Sequence, residues 1–76
     1  MRVQLAPRIV VDSDISFGKP VIEGTRIPVE IILGKLGGGM SVDEVMDDYA
    51  VIREDVLAAL SYAANLVASE QIRIIA

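Results

Sequence analysis

Apolar residues are distributed in two ways along the chain: short β-branched runs come first, and apolar positions at helical spacing follow. Arg8-Ile-Val-Val11 is brief and β-branched, bounded by Pro7 and by Asp12-Ser-Asp14, which predicts a strand. Val21-Ile22 and Thr25-Arg26-Ile27 flank Glu23-Gly24, which predicts a tight turn with Gly24 at positive φ. Residues 8–27 therefore read as a small β element, two or three short strands around a loop at Asp12–Pro20. A ribbon of this size is marginal alone, so it must lie on helices or pair across a dimer.

Periodicity then changes. Pro28 suits a first helical position, and Val29, Ile32, Leu33 and Leu36 predict a first helix over 28–36. Gly37-Gly38-Gly39 ends it. Ser41 and Glu44 form an S-x-x-E capping box that opens a second helix, with Met40 and Val45 as its hydrophobic staple. Val42, Val45, Met46 and Tyr49 line one side of this helix; Asp43, Glu44, Asp47 and Asp48 cover the other. A third helix is expected from Glu54 to Ser69, with Arg53 in the capping position and a buried stripe of Val56, Leu60, Ala63 and Val67 that has Leu57 and Ala64 beside it.

The expected fold is thus a mainly α, single domain over 1–76. It comprises a short N-terminal β element with its loop (8–27), a three-helix bundle of helix-turn-helix type (28–69) and a tail (70–76). The expected core is Val29, Ile32, Leu33, Leu36, Val45, Met46, Tyr49, Val56, Leu60, Ala63 and Val67.

Composition narrows the chemistry. The 76 residues contain no cysteine and no histidine, which removes the commonest nucleophile–base pairs and the commonest metal ligand. No phosphate-binding loop is present either, so no enzymatic activity and no cofactor are expected. The carboxylate pairs Asp43/Asp47 and Glu44/Asp48 read as a solvated helix face rather than a metal site. No membrane association is expected: the uncharged run from Val56 to Ser69 is short and contains Ser, Tyr and Asn, and Pro7 and Arg8 interrupt the N-terminal apolar stretch. These features fit the cytoplasm.

Charge is uneven. Residues 1–35 carry a net +1 and residues 36–76 a net −5, within a total of −4. A protein held on DNA by phosphate neutralisation is normally basic, so the balance weighs against a simple DNA-binding account. The second and third helices nevertheless have helix-turn-helix spacing. On the DNA reading, Arg8, Lys19 and Arg26 contact phosphates, while Tyr62 and Asn65 on the outer side of the third helix contact bases. On the plain structural reading the third helix only packs, Lys19 is a solvated turn residue, and Arg26 pairs with Glu23 or Glu30.

The stretch Gly18-Lys19-Pro20, Ile22, Gly24-Thr25-Arg26-Ile27-Pro28-Val29, with Ser41-x-Asp43-Glu44, Tyr49, Glu54-Asp55-Val56 and Ala58-Ala59-Leu60, resembles the bacterial and archaeal family called domain of unknown function 433. The resemblance covers residues 9–64. It implies a homeodomain-like helical fold and an antitoxin-like regulator that binds promoter DNA, a PIN-like ribonuclease toxin, or both. A protein-interaction module without nucleic-acid binding is the alternative. This sequence departs from the family pattern at Arg53, where Ser or Thr usually opens the third helix, and in its short tail.

The small size and the 53% apolar content predict a homodimer, built through the β segments or through the third helices along Ala58, Tyr62 and Asn65. In the tail, Ile72, Ile74 and Ile75 flank Arg73. This is either a docking segment for a second copy or a toxin, or an extra strand on Ile9–Val11.

Overall fold

The computed structural model describes residues 1–70. Three strands, β1 (Arg2–Ala6), β2 (Ile9–Asp12) and β3 (Val21–Ile22), precede three helices, α1 (Val29–Gly37), α2 (Val42–Tyr49) and α3 (Arg53–Ser69). The strands form one antiparallel sheet in the order β1-β2-β3. β1 and β2 make a hairpin whose register runs from Arg2 opposite Asp12 to Ala6 opposite Ile9, with a bulge between Gln4 and Ala6. Pro7-Arg8 closes it; Arg8 takes a left-handed φ of 65°, the conformation that follows proline in a type II turn.

The central strand joins the layers. Ile9 of β2 and Ile22 of β3 are fully buried with Val29, Ile32, Val45, Val51, Val56 and Ala59, so one apolar core lies between the sheet and all three helices. The Glu23-Gly24 turn leads the chain from the sheet into α1. Gly24 has a φ of 82°, and Thr25 N–H and Oγ1 both donate to the Ile22 carbonyl, at 3.0 and 2.8 Å.

The expectation of a mainly α fold with only a short β element is corrected by this sheet. β1 lies wholly before the segment expected to be extended, and β2 and β3 supply core side chains rather than decoration. The three packed helices stand as expected. The α2 capping box is present in both directions: Ser41 Oγ accepts from Glu44 N–H at 3.1 Å, and Glu44 Oε1 accepts from Ser41 N–H at 3.0 Å. The bond from Ser41 N–H first, and the Ser41 hydroxyl beside it, hold the Glu44 carboxyl below its ordinary pKa.

Two details of α3 differ. Ile52, not Arg53, caps it, and Asp55 Oδ2 accepts from Ile52 N–H at 3.2 Å, so a carboxylate in the first turn serves the helix start. The buried stripe begins at Val56 and continues through Ala59, with Ala58 and Tyr62 half-buried against the core. Leu60 and Val67, both expected inside, are exposed. α3 is apolar around so much of its circumference that two stripes satisfy helical spacing, and the body takes the one containing the small Ala59, which admits close approach. Pro28, expected at the first helical position of α1, occupies the cap just before it.

Candidate protein-binding surface

The loop from β2 to β3 is built by local hydrogen bonds. Asp12 Oδ1 accepts from Asp14 N–H at 2.9 Å, and the Asp12 carbonyl accepts from Ile15 N–H at 3.0 Å. Ser16, Phe17 and Gly18 then form a single tight turn in which all three take left-handed φ values of 50°, 57° and 77°. Gly18 N–H to the Ile15 carbonyl and Lys19 N–H to the Ser16 carbonyl close this turn, and Ser16 Oγ ties it to the Arg26 carbonyl at 2.9 Å. Glycine takes that conformation freely, whereas serine and phenylalanine pay ~1–2 kcal/mol each.

The strained turn holds Phe17 outward. Its relative exposure is 101%, as high as in an extended peptide, so the ring contributes nothing to the core. An apolar ring held in water by strained backbone is unusual for a purely structural loop.

Beside it, Lys19 forms an ion pair with Glu30 of α1, and the Pro20 carbonyl accepts from Val29 N–H at 2.9 Å. These contacts fix one rim of an apolar groove of about 300 Å³ between α1 and α3. Its walls are Pro20, Val29 and Leu33 on one side and Tyr62, Ala63 and Leu66 on the other. The groove can accept an apolar side chain, with one cation and one carboxylate at its edge.

The cations expected to contact DNA are placed apart. Arg8 reaches across from the hairpin to Asp55 of α3 at 3.1 Å, and Lys19 is held by Glu30. Arg26 has no carboxylate within ion-pair distance among the described residues; it lines a different depression with Arg2, Asp12 and Thr25. Arg2 itself pairs with Glu23, whose pKa is lowered by its hydrogen bonds from Gln4 and Arg2. Asn65 is exposed beside Ser61 and faces Ala6 and Pro7 of the hairpin. Tyr62 sits between that depression and the α1–α3 groove, half-buried rather than outward. Lys19, Arg26, Tyr62 and Asn65 thus border three separate depressions, and Arg8 lines none of them. Ile72, Arg73, Ile74 and Ile75 lie outside the described residues.

Asp43, one of the carboxylates weighed for a metal, is held by Arg53 at 2.7 Å, and no metal-binding group of acids gathers among the described residues. No described helix is long and apolar enough to cross a membrane. Sequence reasoning passed over Phe17. The available signal was an aromatic residue directly before a glycine inside a loop otherwise made of turn residues.

The chain resembles several known proteins. A segment of 23 residues is 70% identical to an uncharacterized protein of Archaeoglobus fulgidus, covering 30% of this chain and 64% of that one. The crystal structure of RV2018 from Mycobacterium tuberculosis superposes with a TM-score of 0.69 at 31% identity, covering 78% of this chain and 29% of that one. The matched region is therefore under two thirds of either relative's length. Residues 9–63, which include the strained turn and both groove walls as far as Ala63, match the family described as protein of unknown function (DUF433), and the chain belongs to that family.

Proposed function

We propose that this chain is an antitoxin-like regulator that acts by binding a partner protein, a PIN-like ribonuclease, through Phe17 and the α1–α3 groove. Phe17 carries the reading: an exposed aromatic ring on strained backbone gains its apolar contact only when a partner covers it. The antitoxin role rests on the family resemblance, and the groove adds a second apolar contact bordered by Lys19 and Glu30.

The charge distribution favours protein over DNA as the partner. Arg8 and Lys19 already hold carboxylates, α3 opens with Glu54 and Asp55, and the net charge is −4. Co-purification with a PIN-like ribonuclease encoded beside this chain tests the proposal. Phe17→Ala and Leu66→Glu should each weaken the complex at least tenfold, with the helical circular dichroism unchanged. Complex formation by both variants at native strength would reject it. A mobility shift on upstream DNA that disappears when Lys19 and Arg26 are both changed to Ala would replace it with the DNA reading.

A further inference from the structure

The side of α3 turned away from the core carries a second apolar stripe. Leu57, Leu60 and Val67 are 52%, 40% and 66% exposed, and Ala64 is exposed between them. Their spacing of three, four and three residues is that of a coiled-coil seam, whereas the inward residues Val56 and Ala59 serve the core. No charged residue occurs between Val56 and Ser69. The stripe residues border neither the α1–α3 groove nor the depression beside the hairpin.

We propose that this stripe is the contact between two copies of the chain, packed α3 against α3 in antiparallel fashion. The order of side chains is what selects a second copy. When the helix is turned end for end about a two-fold axis near residue 62, Leu60 meets Ala64 of the other copy and Leu57 meets Val67. Large side chains then face smaller ones at every layer, and one register satisfies both pairs together. The seam itself is uncharged, so two copies that are each net −4 meet where neither presents a charge. Ala58 and Tyr62, expected from sequence to form such a contact, pack half-buried in their own chain. A seam of four side chains per copy is small, which makes the dimer weak and concentration-dependent.

Sedimentation velocity on the whole chain, from about 5 to about 500 μM, reads this directly. The wild type should pass from one-chain to two-chain mass across that range. Leu60→Lys and Ala64→Glu should each remain single chains throughout, because each places unpaired charge in the seam. Both positions are exposed, so a melting temperature equal to that of the wild type at about 5 μM, where the wild type too is a single chain, shows that the variants are folded. Mixed in equal amounts, the two variants should form a dimer, since Lys at 60 of one copy then faces Glu at 64 of the other while the second Leu60–Ala64 contact stays native. A wild type that stays a single chain at the highest concentration would overturn the proposal. So would a Leu60→Lys variant that still dimerises, or a mixture that does not.

Discussion

Phe17 and Gly24 take the same left-handed backbone for opposite reasons, and opposite substitutions reveal this. At Gly24 a φ of 82° closes the turn between β3 and α1, and a Cβ there would meet nothing within 4 Å. Gly24→Ala therefore costs only the conformational term, ~1 kcal/mol, read as a fall in melting temperature of about 4–8 °C. At Phe17 the strain is already present and the side chain touches nothing that stabilises the fold. Phe17→Gly should raise the melting temperature by a similar amount while weakening partner binding, the exchange of stability against function expected of a contact residue. A melting temperature that falls in this variant would mean that the ring packs in solution. Gly24 was legible in sequence because Glu23-Gly24 stands between two β-branched runs. Phe17 was not, because neither its φ nor its exposure follows from residue type. Lys19 and Arg26 were legible as cations, but their neighbours were not: Lys19 found Glu30, and Arg26 found no carboxylate among the described residues.

Among the elements, α2 was the most legible, because Ser41 and Glu44 name both halves of a capping box that the structure contains. Ser41→Ala should cost ~1 kcal/mol by removing the acceptor for Glu44 N–H. The Glu44 carboxyl, depressed by its bonds from Ser41, gives this helix start an acid dependence. A group whose native pKa lies below its unfolded value stabilises the fold above the unfolded value and loses that effect as pH falls through the native one. Wild-type stability should therefore decline below about pH 4.5, the ordinary value for Glu, and Glu44→Gln should decline less steeply over that interval. Parallel acid limbs in thermal melts of the two proteins would contradict the assignment. β1 was illegible because Arg2 through Leu5 are all exposed, so no buried face imprints a period on its sequence. The inward face of α3 was ambiguous for the reverse reason, an excess of apolar positions. The α1–α3 groove could not be read at all, since it exists only where Leu33 and Leu66, far apart in sequence, line the same space.

For the molecule as a whole, the sheet and the helices share one core, and this decides how the chain unfolds. Ile9 of β2 is fully buried among Ile22, Val29, Ile32, Val45, Val56 and Ala59, residues drawn from β3 and every helix. Arg8, next to Ile9, also reaches Asp55 at the start of α3. A chain of 76 residues has little surface to bury twice, so neither layer retains a sufficient core without the other. Unfolding should be a single transition. Tyrosine fluorescence, which reports on Tyr49 in α2 and Tyr62 in α3, should coincide with loss of amide protection in β2. Ile9→Ala makes the test sharper, because it removes core volume from the sheet alone. Its cost of ~2–5 kcal/mol should lower the melting temperature of the helices, at about 4–8 °C per kcal/mol, as much as that of the sheet. An independent β element would lose its amide protection in this variant while the helical signal melted at the wild-type temperature. That outcome would show the sheet to be an appendage on a self-sufficient helical bundle, whereas a common shift establishes it as half of the fold.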